Sequence, residues 1–285
     1  HLTNHGQLFS AGLITGEVAH LNNHELIRGQ TVTLRGITLN NHGQIAADSG
    51  LTLQQQQLTN HGLLDAARFA ISGQQLDNHG IIRQRGGTLA IKTEQLDNRG
   101  DIGLLPADNP ATGSGNGTSP APGNDAANSG AGGGSGSIEL AGINNHNGAA
   151  ILSAGQTDLS VNQQQLINHG KMQLGTFHYS GDALDNYGQI RARRGELSGK
   201  TLTNREGAVL SAGDFATFSF TDNIKNSGTL YSDSNFRLHS THIENQGANS
   251  LIASSGTLDI HSEHVENRGR IQSGGSLQGN IGSLE

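Results

Sequence analysis

The sequence contains no cysteine and no tryptophan, one methionine, three tyrosines, seven phenylalanines and four prolines among 285 residues. Without cysteine, neither a disulfide framework nor a thiolate zinc site is available. An aromatic fraction of 4% leaves little material for a thick core. No apolar run approaches the ~18 to 20 residues of a membrane-spanning helix. Charge is sparse as well, at 14% of residues against the ~25% of an average globular chain. The balance of 17 basic and 24 acidic residues gives a net charge of -7 with no long basic run. Nucleic acid is therefore not an expected partner, because affinity for phosphate needs clustered Lys and Arg. The missing thiols fit either a cytosolic or a secreted chain, and would suit one that crosses a second membrane unfolded. His1 and Leu2 open no signal peptide but fall mid-pattern, so we read the chain as an excised piece, with Leu284-Glu285 as a cloning scar.

Glycine is plentiful, at 42 residues, and much of it belongs to a repeat. Asparagine recurs at Asn4, Asn23, Asn41, Asn60, Asn78, Asn98, Asn145, Asn168, Asn186, Asn204, Asn226, Asn245 and Asn267, usually as Asn-x-Gly. Successive copies are 18 to 23 residues apart except for one interval of 47. Two residues before each asparagine stands an aliphatic side chain, from Leu2 and Leu21 through to Ile243 and Val265. Four residues after it, most copies place another, such as Leu8, Ile45, Ile82 or Ile190. A second turn follows, and then an alternating pair such as Val32 and Leu34, Leu51 and Leu53, or Phe236 and Leu238. Each copy reads as three short strands separated by turns, with side chains alternating in and out. No segment keeps the 3.6-residue period of a helix.

One such coil cannot bury its apolar face, so the copies must stack. A leucine-rich repeat has a similar period, but its L-x-x-L-x-L-x-x-N spacing is absent and L-x-N-x-G stands in its place. The fold class that follows is all-β: a parallel β-helix, or β-solenoid, of about 13 coils. Coils stacked ~4.8 Å apart make a rod of roughly 60 Å. The asparagine is expected to turn inward, bonding to turn backbone and to its equivalents above and below.

The strings LTNHGQL, LNNHGQI, LTNHGLL, LDNHGII, LDNRGDI and VENRGRI resemble the haemagglutinin repeats of filamentous-haemagglutinin-like exoproteins, a group that includes the contact-dependent growth-inhibition toxins. The resemblance covers nearly the whole chain outside its Gly/Ser/Pro-rich middle. It implies a right-handed β-helix exported from a Gram-negative bacterium by two-partner secretion. The chain would then be a monomeric filament at the cell surface or secreted from it. Implied partners are an outer-membrane transporter of the two-partner type and a cell-surface receptor on a target bacterium or host cell. No toxin or secretion domain is recognisable in these residues.

The interval of 47 residues holds all four prolines, Pro106, Pro110, Pro120 and Pro122, and Gly132-Gly133-Gly134. Its composition cannot support a core of its own. We therefore divide the chain into coils 1-102, an insertion 103-136, and coils 137-285 that continue the same solenoid. The insertion reads either as a tolerated loop or as a receptor contact, with Asp108, Asn109, Asn116, Asn124 and Asp125 as the candidate contact residues.

Other polar features invite weighing. The residue after the ladder asparagine is histidine in seven copies: His5, His24, His42, His61, His79, His146 and His169. Stacked, they form an exposed ladder, and His42, His61 and His79 are the candidate metal ligands. The same slot accepts Arg99, Tyr187, Ser227 and Gln246, which favours a permissive turn position and no metal. Gln54 to Gln57 and Gln163 to Gln165 could form amide ladders. Phe218 and Phe220 alternate on one strand face and read as core.

β-Helices also serve as polysaccharide-acting enzymes, which need carboxylates converging on one groove. Here Asp48, Asp65, Asp77, Asp97, Asp158, Asp185 and Glu196 are scattered among coils, and alternation splits His264 from Glu263. No nucleophile elbow, phosphate loop or zinc motif appears. No enzymatic activity and no cofactor are expected.

Overall fold

In the computed structural model, residues 1–104, 135–153 and 157–285 are described. They form 23 strands of a single sheet, wound as a parallel β-solenoid of about 13 turns. Every pairing links a strand to its equivalent one coil away, as Leu2 faces Leu21 and Asn186 faces Asn204. The candidate contact residues Asp108, Asn109, Asn116, Asn124 and Asp125 lie outside the described residues. The flanking strands Asp101–Leu104 and Ser135–Asn145 are in place: Leu104 faces Gln84 and Ser135 faces Thr88. Residues 103, 104, 135 and 136 thus belong to the coil rather than to the insertion.

The three expected short strands are often one. Leu26–Asn41, Gln44–Asn60 and Lys171–Asn186 each run through two corners as one strand, the ladder skipping a residue or two at the bends, as at Gln30 and at Asp48 and Ser49. Because the hydrogen bonds point along the rod axis, the chain bends in the plane perpendicular to them and keeps its partners above and below. Only the Asn-x-Gly corner consistently interrupts the strand.

Alternation sends one residue in two to a narrow core. Leu39, Leu58, Leu76 and Leu96 stack in one column, and all are essentially without exposure. Val32, Leu51, Phe69 and Leu89 form another. Each such side chain contributes ~1.5 to 3 kcal/mol by leaving water. The first and last coils have a neighbour on one side alone, so Phe9, Leu13, Leu277 and Leu284 remain largely exposed.

Packing in coils 171–238 alternates large and small. In register stand Phe177, Gly195, Ala216 and Phe236, and beside them Tyr179, Leu197, Phe218 and Leu238. Phe218 fills the space left by Gly195, where an added Cβ would already touch the ring at 3.4 Å. Phe218 and Phe220 are buried core residues, as alternation implied, whereas Phe215 is partly exposed.

Candidate functional site

The corner that begins at the ladder asparagine is the feature that every coil shares, and the asparagines enter it in one orientation. Each Nδ2 donates to Oδ1 of the asparagine one coil further on, from Asn4 to Asn23 at 2.7 Å through Asn245 to Asn267 at 2.7 Å. Ten links between these ends measure 2.8 or 2.9 Å. The second amide hydrogen commonly reaches turn carbonyls, as Asn78 does to Gly80. Asn23 through Asn245 are fully buried. A buried carboxamide left unpaired would cost ~1 to 3 kcal/mol, and this arrangement satisfies it twice over. All thirteen asparagines of the sequence pattern are brought into this one column, Asn267 ending it partly exposed.

Outside the corner, alternation turns the next residue to solvent. His5, His24, His42, His61 and His79 are exposed and stack face to face, with ring centroids 4.6, 5.3, 4.8 and 4.7 Å apart and interplanar angles of 5 to 21°. Arg99 ends this run and pairs with Asp97 at 3.2 Å. His146 also turns to Asp97. Further on, His169 stacks on Tyr187 at 4.2 Å, and the Arg205 guanidinium lies 5.1 Å from the Tyr187 ring centroid. His42, His61 and His79 are therefore neighbours in one stack. Among the described residues, no three His, Asp or Glu side chains are grouped to hold a metal ion.

The two glutamine runs do not form one ladder. Gln55 turns inward and donates to the Leu34 carbonyl at 3.1 Å, while Gln54 accepts from Arg35 at 2.6 Å. Gln57 is instead in register with Gln75 and Gln95. Gln164 meets the Gln95 amide from two coils away, over Gly142, whose absent side chain leaves the gap they use. The reason is register: corners of unequal length displace residues that look equivalent in sequence.

Some carboxylates are placed closer than the sequence suggested, and several are engaged. Asp77 and Asp97 share one outward column, the first held by Gln75 and the second by Arg99 and His146. Asp65 is nearly buried at a corner and receives Arg83 at 2.8 Å and Arg85 at 3.0 Å. The Asp65 hydrogen bond and charge hold the Arg83 guanidinium above its ordinary pKa despite partial burial. Asp185 accepts from Gln165 at 2.9 Å and Asp48 from Arg28 at 2.9 Å. Glu266 pairs with Arg268 at 2.6 Å, away from Glu263, and His264 bonds Ser283. Burial raises the Asp101 carboxyl pKa, opposed by a backbone hydrogen bond at Ala150. Burial, with Asp182 and Asp185 nearby, also raises the Tyr179 phenol. The surface ammonium of Lys200 is raised by its hydrogen bond to Asp182.

Among the described residues, open grooves lie on the outside of the rod. One of about 360 Å³ is lined by His239, Thr241, His261, Glu263 and Asn280. Two others flank Lys92 and Glu139, which form a surface ion pair at 3.2 Å. Sequence reasoning missed the register pairs His239/His261 and His242/His264, although their spacing of 22 residues was a usable signal.

Comparison of the chain with family models, with curated proteins and with solved structures gives no match.

Proposed function

We propose that this chain is a non-enzymatic filament segment of a large bacterial surface exoprotein of the filamentous-haemagglutinin type. It gives reach, as a stalk, to adhesion or to delivery of a toxin carried elsewhere in the parent protein. The observation that carries this reading is the asparagine column, whose twelve inter-coil links run without a gap from Asn4 to Asn267. A rod held by one repeated polar contact and thin aliphatic columns transmits position along its length and needs no special coil. The engagement of Asp48, Asp65, Asp97 and Asp185 by cationic or amide groups is consistent with a structural use of those carboxylates. Secretion, a Gram-negative surface and a two-partner transporter belong to the same proposal, on the strength of the L-x-N-x-G resemblance.

A second reading, a receptor-binding module, is favoured by the exposed grooves and by the residues 105–134 carried between two in-register strands. Labelled protein applied to panels of bacterial and host cells separates the two. Absence of saturable binding supports the stalk. Saturable binding that disappears when 105–134 are replaced by a short turn would replace it with the recognition module.

A further inference from the structure

The five-ring histidine stack is the most regular chemical feature on the surface that the stalk reading leaves unused. Its members share one local construction: a buried asparagine before the histidine fixes the backbone, and a glycine follows in all but the second copy, where Glu25 stands. All five histidines are exposed. Their centroids, 4.6 to 5.3 Å apart, are set by the coil rise.

We propose that the strip His5, His24, His42, His61 and His79 binds borderline divalent transition-metal ions, two neighbouring imidazoles to each ion. A metal ~2.0 to 2.1 Å from each nitrogen needs the two nitrogens roughly 3 to 4 Å apart. Neighbouring rings reach that separation by turning their outer edges together, a motion that solvent does not oppose. The contact they give up is between solvent-exposed rings, and two metal–imidazole bonds replace it. Water completes the coordination, so no third protein ligand is required. Imidazole suits Zn²⁺, Ni²⁺ and Cu²⁺ and not the hard ions Mg²⁺ or Ca²⁺. Five rings in line make two separate pairs, hence two ions, and Arg99 closes the strip with a fixed positive charge.

Calorimetric titration of the whole chain with Ni²⁺ at neutral pH tests pairing rather than histidine number. His24→Asn with His61→Asn leaves three histidines of the strip, none next to another, and abolishes both strip ions. His5→Asn with His79→Asn also leaves three, but adjacent, and retains one ion. His42→Asn leaves two intact pairs and retains both. His1/His20, His239/His261 and His242/His264 are unchanged throughout and form a constant background. Each variant is expected to fold, because the slot accepts Arg99, Tyr187 and Gln246 elsewhere, and circular dichroism verifies it. Ni²⁺ binding about tenfold or more weaker in the first double variant than in the second supports the pairing, as expected when two linked ligands become one. Equal loss in both, no loss in either, or no binding by the parent chain overturns it. The single His42→Asn variant keeps the test decisive should a double variant not fold: loss of both ions there is also contrary to the proposal.

Discussion

Asn98 donates its side-chain amide to Asn145 at 2.8 Å, although 47 positions separate the two in the chain. The distance is that of any other link in the column, and Ile143 and Asn145 keep register with Leu96 and Asn98. The coil that carries residues 105–134 therefore closes as its neighbours do. In the coil before it, three residues, 85–87, connect Gln84 to Thr88, the partners of Leu104 and Ser135. Replacing 105–134 by a copy of that three-residue turn is expected to leave the denaturation midpoint unchanged or slightly raised. Loss of cooperative unfolding in denaturant melts would show that the shaft depends on the segment.

The two residues of one corner should differ sharply in their effect on stability. Asn78→Ala removes the acceptor of Asn60 and the donor to Asn98 at fully buried positions. We expect a loss of roughly 1 to 3 kcal/mol. His79→Ser removes one exposed ring from the end of a stack and should cost about 0.5 kcal/mol or less. Chemical denaturation of both variants measures the contrast, and equal effects would contradict the roles assigned to inward Asn and outward His.

The fold was legible because its period is short and its signals coincide: Leu at minus two and Asn at zero stack in register, and each fills the role its chemistry suggests. Alternation also placed Phe218 and Phe220 correctly. Less legible was anything that depends on the exact length of a corner. Gln55 continues the inward alternation of Leu51 and Leu53, but at the corner after it the alternation breaks, with Gln56 and Gln57 both turned out before Leu58, and the run of glutamines carries no mark of that break. The Asp65–Arg83–Arg85 cluster joins residues 18 and 20 apart, and its signal was diluted by the many other charges at similar spacing. Asp77 and Asp97 looked scattered when read along the chain, although both sit one residue before a ladder asparagine and so must share a column.

Close stacking also predicts which glycines matter. A Cβ on Gly73 would lie 1.7 Å from the Gln55 carbonyl oxygen, whereas one on Gly50 would meet nothing within 4 Å. Gly73→Ala must push two coils apart and is expected to cost about 1 to 3 kcal/mol, the range of overpacked interiors. Gly50→Ala should be neutral or stabilise by a few tenths, roughly the gain from a less flexible unfolded chain. Thermal melts of the pair decide the matter, and a Gly73 variant as stable as the Gly50 variant would mean that coil spacing is looser than the structure shows.

Asp101 supplies a prediction with a defined sign. It opens the strand Asp101–Leu104, and its carboxyl is raised chiefly because burial disfavours the charged form, against the hydrogen bond at Ala150. The folded protein therefore binds this proton more tightly than the unfolded chain, whose aspartate titrates near its ordinary value of ~3.9. Between the ordinary and the raised value the folded state holds more proton, so stability contributed by this group falls as pH rises. Above the folded pKa the penalty is complete and constant. Asp101→Asn, which carries no charge to desolvate, should then be more stable than the parent at neutral pH. Its advantage should shrink on acidification and vanish once both states of the parent are protonated. Denaturant midpoints of the two proteins at pH 7 and below the ordinary aspartate range test this as a difference, in which the titration of other groups cancels. An advantage that grew toward acid would reverse the sign and show that the Ala150 hydrogen bond, not burial, dominates at this carboxyl.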